Sequence, residues 1–467
     1  MQLKQNHIST IVLIASAVLT YSVVIFFDGT SDSGDSIVHY FFARYTFKYP
    51  EFFLHHWAKP VYVLLASPFA QLGFIGIKLF NATVAVATAF ITYKVSLKLN
   101  QNNAYLSVLF LFLSTMYLVI INSGLTEPLF ALFLIVSIYM VLCEKINTAA
   151  VLISFLPFVR PEGLLIIPVF AMFMLVKKYY RPLILLLVGH IFYSIVGYFH
   201  YHNILWVFTE NPNAQLGYYG HGGWIDFVGK LLYILGVPIY GLFAIGIVYI
   251  FICLFFYRNE NKKKDHYYEQ LILIYGSFFI VFIAHTIFWR FAWFKSMGLN
   301  RVMIAVIPAI SIIALDGFNF LLSLFKNERI KFFLKCLVIT YAVIFPFTSN
   351  HSAVKWKDFK LSTDEVLIDD LSKIIRENFK ENKIYCSHPY LCLTLDIDFF
   401  DKNKIEGIEK IYAGDSLPDK SLIVWDSWFS VVECGVSLDQ LRNDKRFNEV
   451  KSFKRENWQF VIFLKKI

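Results

Sequence analysis

Long apolar runs are the feature of this sequence that most restricts its fold. A helix that crosses a bilayer needs about 20 consecutive, mostly apolar residues. Runs of this kind cover residues 9–27, 73–95, 104–122, 127–143, 181–201, 230–256, 271–291, 300–321 and 331–347. Hydrophobic residues make up 57% of the chain, against about 45–50% in soluble domains. The sequence therefore predicts an α-helical protein that crosses a membrane many times.

A further apolar run, residues 148–176, is too long for one upright helix. Near its middle it contains the segment Arg160-Pro161-Glu162-Gly163, and both proline and glycine disfavour a continuous helix. We therefore predict two short helices joined by a turn at this segment. The turn brings the expected number of membrane spans to about eleven.

Lysine and arginine residues predict the orientation of the spans, because cytoplasmic loops are enriched in both. Basic residues concentrate in three connectors, which hold Lys177, Lys178 and Arg181; Arg258, Lys262, Lys263 and Lys264; and Lys326, Arg329, Lys331 and Lys335. We expect these connectors and the N-terminus to be cytoplasmic, and the first loop (residues 28–59) to be outside. All loops agree with this orientation only if the chain turns at Arg160. The net charge of +9 then reflects cytoplasmic anchoring and does not indicate nucleic-acid binding.

Residues 350–467 are less apolar than residues 1–349 and predict a second domain outside the membrane. The segment STDEVLIDDLSKIIRENFK has helical periodicity, as does SLDQLRNDKRF. The segments KIYCSHPYLCLTL, SLIVWDS and NWQFVIFLKKI are typical of strands. We therefore predict a small C-terminal α/β domain on the outer face. Its Cys386, Cys392 and Cys434 lie where disulfides are permitted, and the sequence leaves their pairing open.

Polar residues gather at the predicted outer ends of the helices. They lie in the first loop and in SGLTEPLF, FVRPEG, TENPNAQLGYYGHGGW and WRFAWFKSMGLNR. Glu127, Arg160, Glu162 and Arg301 stand inside or beside apolar runs, where charges are costly and usually mark a function or a buried ion pair. We therefore predict one site that faces outward. The alternative is that the helix ends are simply polar.

The first loop reads GTSDSGDSIVHYFFARYTFKYPEFFLHHWAKP over residues 29–60. It combines Asp35 with aromatic residues, then His55-His56-Trp57 and Lys59. A plain connector would be polar and rich in glycine and serine, so we predict that this loop forms one wall of the site.

The chain resembles the GT-C superfamily of integral membrane glycosyltransferases. The resemblance rests on an outward Asp just after the first membrane helix, on HHW followed by KPVYVLLASPFAQLG, and on TEPLF and RPEG, which are similar to segments of the mannosyltransferase-like branch. It covers residues 9–347. It implies a GT-C type membrane domain of residues 1–349, a first outer loop of short helices along the membrane, and transfer of a sugar from a polyprenyl-phosphate donor. The acidic pair of many members is replaced by Asp35-Ser36, and the sugar and acceptor stay open.

The resemblance implies that Asp35 is the catalytic base that takes the proton of the acceptor hydroxyl. Asp35 alternatively caps the helix that begins there, and Asp28 and Asp32 are the other candidate bases. The phosphate of the donor requires cations, and Lys59, Arg160 and Arg301 are the candidates.

The remaining candidates for binding substrate or phosphate are His55, His56, Trp57, Glu127, Glu162 and His221. Each has an alternative role, such as an interfacial side chain, a buried ion pair or, around His221, a flexible connector. No cofactor is expected, the carboxylates are not spaced to bind a metal, and a divalent ion stays open.

We therefore predict a glycosyltransferase at the outer face of a bacterial plasma membrane, with a lipid, a glycan or a protein as acceptor. The nearest alternative enzyme is an oligosaccharyltransferase or polymer ligase that uses a lipid-linked glycan. A transporter or flippase would show matching halves with broken helices, and none is evident. A receptor-like protein would not need so many spans.

Overall fold

A computed structural model describes residues 2–210, 219–256, 265–348, 354–413 and 417–466. The chain divides into two compact units. The membrane unit comprises Met1–Phe26 and Thr46–Lys355, and the C-terminal unit comprises Phe27–Tyr45 and Trp356–Ile467. The first loop is therefore shared: its first part groups with the C-terminal residues, whereas the sequence analysis placed all of residues 28–59 with the membrane domain.

The membrane unit is built of helices. They cover Gln2–Phe26, Pro60–Ala70, Phe74–Lys98, Leu106–Phe112, Thr115–Ile121, Glu127–Leu142, Ile146–Ser154, Leu156–Val159, Gly163–Val176, Tyr180–Leu185, Val188–Tyr201, Trp206–Thr209, Asp226–Phe255, Glu269–Tyr275, Gly276–Phe291, Asn300–Val306, Ile307–Ser323 and Glu328–Thr348, with short 3₁₀ turns at Pro50–Phe53 and Trp293–Lys295.

Within the described residues, seven helical segments are long and apolar enough to cross a membrane. They are His7–Phe26, Phe74–Lys98, Tyr180–Tyr201, Asp226–Phe255, Glu269–Phe291, Asn300–Ser323 and Glu328–Thr348. Shorter apolar helices accompany them, so the polytopic helical architecture is confirmed, while a total of about eleven spans stays a prediction.

The predicted turn at Arg160 is present. Arg160 is extended (φ −157°, ψ 142°) and ends the helix Leu156–Val159, and the next helix begins at Gly163. A Cβ atom on Gly163 would lie 2.4 Å from the carbonyl carbon of Leu156. Only glycine therefore allows the two helices to approach this closely.

The C-terminal unit contains a mixed sheet of five strands: β1 (Ile384–Tyr385), β2 (Ile405–Glu406), β3 (Leu422–Asp426), β4 (Phe447–Arg455) and β5 (Trp458–Lys465), in the order β2-β1-β3-β5-β4. β1 is parallel to both β2 and β3, and β5 is antiparallel to β3 and β4. Its helices cover Asp35–Tyr45, Thr363–Asn378, Pro389–Leu395 and Leu438–Asn443. The predicted α/β character is confirmed.

Two details of this unit differ from the prediction. KIYCSHPYLCLTL forms a strand only at Ile384–Tyr385 and then the helix Pro389–Leu395, because proline suits the first position of a helix and lacks the N–H that a strand uses. The strand Phe447–Arg455 was not predicted. It is an edge strand with mostly exposed residues, so it lacks the apolar alternation that marks a half-buried strand.

Candidate functional site

A buried carboxylate with two arginine partners lies at the start of the helix Glu127–Leu142. Glu127 has no exposed surface. Its Oε1 atom is 2.9 Å from Nη1 of Arg160 and 3.4 Å from Nε of Arg301. Nη2 of Arg160 is 2.8 Å from Oε1 of Glu162. We call Glu127, Arg160, Glu162 and Arg301 the arginine–glutamate cluster, and the structure thus brings together four residues that the sequence singled out.

The segment before Glu127 is held by side chains that the sequence analysis missed. Nδ2 of Asn81 donates to the carbonyl oxygens of Ser123 and Leu125, at 2.7 and 2.9 Å. The hydroxyl of Tyr62 donates to the carbonyl oxygen of Gly124 at 2.7 Å. In the sequence, Asn81 is a polar residue inside an apolar run, and this pattern could have identified it. In the structure it is fully buried, and a buried polar group requires hydrogen-bond partners.

The cluster has the chemistry of an anion-binding site, although the charges of its two arginines and two glutamates sum to zero. Each buried charge has an opposite charge beside it, which offsets the cost of its desolvation. A guanidinium group presents five N–H donors in a planar fork that suits phosphate and carboxylate oxygens. In this arrangement Glu127 lies beside both guanidinium groups, and Glu162 accepts a hydrogen bond from Arg160.

His285 is a further residue that the sequence analysis missed. It is 7% exposed on the helix Gly276–Phe291. It lies close enough to Glu162 and Arg160 for their charges to act on its ring. A histidine inside an apolar run was the available signal.

Residues 55–59 place a lysine beside two histidines. Lys59 is 8% exposed and has a left-handed backbone (φ 64°) before the helix Pro60–Ala70, a conformation that is uncommon for a non-glycine residue. Its Nζ atom lies 5.6 Å from the centre of the Trp57 ring. Nδ1 of His55 accepts a hydrogen bond of 3.3 Å from the Ala58 amide.

Both histidines of this loop are neutral at neutral pH. Burial, and then the positive charge of Lys59, lower the pKa of His55. The same two causes lower the pKa of His56 to about 4, although backbone groups of Trp206 and Val207 oppose the shift. The cation of residues 55–59 is therefore Lys59, while the imidazoles offer uncharged donors and acceptors.

A small cavity of about 80 Å³ lies beside the Arg160 turn. It is lined by His56, Pro157, Phe158, Pro161, Leu164, His190, Val207 and Phe208. Its wall is largely apolar, with two imidazole rings, and thus suits an apolar group or a ring that carries a few hydroxyls.

His221 is exposed, and the described contacts do not connect it with the arginine–glutamate cluster. The residues around it are anchored by Asp226, which accepts hydrogen bonds from the Gly223 amide at 2.8 Å and from Nε1 of Trp289 at 2.9 Å. Most of the preceding loop, residues 211–218, lies outside the described residues.

Asp35 belongs to the C-terminal unit and begins the helix Asp35–Tyr45. Asp32 does the capping: its Oδ1 atom accepts from the amides of Gly34 and Ser36, at 3.0 and 3.3 Å. Asp32, one of the two other candidate bases, therefore caps the start of this helix.

The described residues contain no group of three or more His, Cys, Asp or Glu side chains that is arranged to bind a metal ion. Cys386, Cys392 and Cys434 are free thiols in this structure.

The comparisons with known proteins concern the fold. No family model and no curated protein matches the sequence. The crystal structure of ArnT from Cupriavidus metallidurans bound to undecaprenyl phosphate matches with a TM-score of 0.67 at 10% identity, over 97% of each chain. Its apo structure matches with a TM-score of 0.64 at 11% identity, again over 97% of each chain. The chain has the fold of ArnT. Together with its apolar helices, this fold makes it a multi-pass membrane protein, as the sequence predicted.

Proposed function

We propose that this protein is a glycosyltransferase of the GT-C type that moves a sugar from a polyprenyl-phosphate donor to an acceptor at the outer face of a bacterial plasma membrane. One observation carries the proposal: the chain shares its fold, from end to end, with ArnT, whose crystal structure holds undecaprenyl phosphate. The arginine–glutamate cluster and Lys59 support it, because they supply the cations that a lipid phosphate requires.

The chemistry of such a transfer needs two kinds of group. A carboxylate accepts the proton of the acceptor hydroxyl as this oxygen attacks the anomeric carbon. Cations stabilise the negative charge that grows on the departing lipid phosphate. The bond between the anomeric carbon and the phosphate oxygen breaks, and the lipid phosphate leaves with the electron pair.

The proposal assigns the base to Asp35 and the phosphate contacts to Lys59, Arg160 and Arg301. Asp35 is half-buried and begins the helix Asp35–Tyr45. Glu127 fixes the two arginines, since its carboxylate is shared by both guanidinium groups.

The other assignments concern sugar hydroxyls and ring faces. His55 and His56 are neutral, and so suit hydrogen bonds to hydroxyls better than they suit a phosphate. Trp57 offers a ring face on which a sugar can stack. Glu162 orients Arg160, and His221, on an exposed segment, is proposed to contact the acceptor.

The test compares the wild-type protein with Asp35→Asn and Asp28→Asn, each purified in detergent with added lipid. The probe is a set of undecaprenyl phosphates that carry radiolabelled hexoses or pentoses, with host lipid extract as acceptor. We expect turnover in the wild type and in Asp28→Asn, and a loss of about 100-fold or more in Asp35→Asn, with an unchanged melting temperature.

Other outcomes separate the alternatives. Equal turnover in the wild type and Asp35→Asn would reject Asp35 as the base while keeping the glycosyltransferase. Loss only in Asp28→Asn would move the base to Asp28. A well-folded wild type that uses none of these donors would reject the proposed donor class and favour oligosaccharide transfer or transport.

A further inference from the structure

The segment that carries Asp35 packs against residues more than 300 positions later in the chain. The amide of Gly29 donates to the carbonyl oxygen of Phe359 at 3.0 Å. The ring of Phe41 stacks on Phe399 with centroids 5.3 Å apart. The position of this segment is thus determined within the C-terminal unit.

Two hydroxyls of the segment donate to two adjacent carboxylates at the start of the helix Thr363–Asn378. Oγ of Ser33 donates to Oδ2 of Asp364 at 2.5 Å. Oγ1 of Thr30 donates to Oε1 of Glu365. Both carboxylates are buried, with 3% and 1% exposure. Buried acceptors with matched donors fix geometry, because losing either partner leaves a desolvated polar group.

Glu365 also caps the start of its own helix. Its Oε2 atom accepts from the amide and the hydroxyl of Ser362, at 2.7 and 2.9 Å, and so completes the capping box of the helix Thr363–Asn378. One carboxylate therefore joins the helix start to Thr30.

His388 contacts the same oxygen of Asp364 as Ser33 does. Its Nε2 atom is 3.2 Å from Oδ2 of Asp364, and the ring is 1% exposed. Burial raises the pKa of Asp364, but the interactions with His388, Ser33 and Ser362 outweigh it and lower this pKa to about 2. Asp364 is thus a carboxylate at neutral pH, and it has few ways to move.

The ring of Phe429 joins this set to the turn before Asp35. It lies 4.6 Å from the His388 ring, centroid to centroid. A Cβ atom on Gly34 would lie 3.2 Å from its Cζ atom, so the backbone of Gly34 rests directly on this ring.

Residues 30–36 also form hydrogen bonds among themselves. Oγ of Ser36 donates to the carbonyl oxygen of Thr30 at 3.0 Å, and Asp32 accepts from the amides of Gly34 and Ser36. Asp35 stands between Gly34 and Ser36, whose amides both bond to Asp32. The bonds of Thr30 and Ser33 tie the same turn to the C-terminal helix.

We propose that Asp364, held by His388, is a positioning residue for Asp35 and acts through the hydroxyl of Ser33. This inference rests on the proposed function, in which Asp35 is the base. The C-terminal domain then has a defined role: it sets the place of the catalytic carboxylate. A misplacement of about 1 Å can reduce a rate about 100-fold.

The test uses the full-length protein in detergent with lipid and compares Ser33→Ala, Ser33→Thr and Asp364→Asn with the wild type. Asp370→Asn is the matched control, because Asp370 lies on the same helix, is exposed and pairs only locally with Lys373 at 2.9 Å. Ser33→Ala removes the donor from the loop side and spares the domain core. Donor turnover gives kcat and KM, and hydrogen–deuterium exchange reports on residues 29–38.

We expect kcat to fall about 10- to 100-fold in Ser33→Ala and Asp364→Asn, with KM for the donor within about 3-fold of wild type, since the donor contacts are untouched. Ser33→Thr should keep kcat near the wild-type value, because threonine retains the hydroxyl. Exchange of residues 29–38 should rise only in Ser33→Ala, which loses the bond, and in Asp364→Asn, which replaces a charged acceptor by a weaker neutral one. A higher KM with unchanged kcat, or equal losses in Asp370→Asn, would overturn the proposal.

The exchange measurement separates this proposal from the proposed function. If the wild type shows no turnover, the glycosyltransferase proposal fails, and the role for catalysis fails with it. Faster exchange in Ser33→Ala would then still show that Asp364 anchors the segment. Unchanged exchange in Ser33→Ala, with or without turnover, would overturn the anchoring itself.

Discussion

At the scale of single residues, the arginine–glutamate cluster depends on Glu127. Its carboxylate is the one that both Arg160 and Arg301 approach among the described ion pairs. Without it, Arg301 would lose a negative partner, and Arg160 would keep only Glu162. Removing one partner of a buried ion pair is strongly destabilising, because the remaining charge stays desolvated.

We therefore predict that Glu127→Leu lowers the free energy of unfolding by about 3–5 kcal/mol. Thermal unfolding of the purified protein, followed by the fluorescence of a thiol-reactive or environment-sensitive dye, measures the change. Glu144→Gln is the control, because Glu144 is exposed just beyond the other end of the same helix, and it should change stability by less than about 0.5 kcal/mol. Equal melting temperatures for wild type and Glu127→Leu would contradict the ion-pair argument.

At the scale of single elements, the helix Asp226–Phe255 contains a kink at Gly236, where φ is 72°. Pro238 has no N–H to bind the carbonyl oxygen of Ile234, four residues before it. The Thr115 hydroxyl instead lies 3.1 Å from this oxygen and 3.0 Å from that of Tyr233. The kink is therefore stabilised by a side chain from another helix.

Gly236→Ala should destabilise the protein, whereas Gly241→Ala should not. At Gly236 a Cβ atom would lie 2.7 Å from the Phe345 ring, and the left-handed backbone adds about 1–2 kcal/mol of strain. At Gly241 nothing lies within 4 Å, so alanine should be neutral or stabilise the helix by about 0.5–1 kcal/mol. Melting temperatures of the two variants, measured side by side, check the signs. A stable Gly236→Ala variant would mean that the kink relaxes at little cost.

At the scale of the whole molecule, the membrane unit has another buried carboxylate, far from the arginine–glutamate cluster along one of its spans. Arg301 and Asp316 lie on Asn300–Ser323, about 23 Å apart at roughly 1.5 Å per residue. Asp316 is 7% exposed and accepts from Gln101 and Gln270, each at 2.7 Å, and from Tyr275 at 2.8 Å. It thus joins its own helix to the segment of Gln101 and to the helix Glu269–Tyr275, which are distant in sequence.

We predict that Asp316→Asn destabilises the protein by about 1–3 kcal/mol, because the new amide hydrogens face donors instead of accepting from them. Ser323→Ala is the control, since the exposed Ser323 hydroxyl bonds only to Phe320 in its own helix. Detergent-solubilised variants would be compared by thermal unfolding. If both variants melt with the wild type, Asp316 does not hold these segments together.

The candidate site shows where the sequence was sufficient and where it was not. Charges at the edges of apolar runs identified all four members of the cluster, because the cost of a lone charge in a membrane makes each one conspicuous. Asn81, Tyr62 and His285 were missed, since their partners are backbone carbonyls or distant side chains. The sequence analysis considered capping only for Asp35, as the alternative to catalysis, and did not single out Asp32 as a cap, because a capping pattern alone does not say which of several neighbouring aspartates makes the bonds.

The sequence by itself determined the helical membrane architecture, the turn at Arg160 and the presence of a C-terminal α/β domain. These follow from local patterns: long apolar runs, a helix-breaking segment and alternating strand residues. Only the tertiary structure decided that Glu127 is shared by two arginines, and that Thr30 and Ser33 bind carboxylates of the C-terminal helix. Those contacts join residues far apart in the chain, so their geometry depends on the packing of the whole fold and leaves no periodic signal in the sequence.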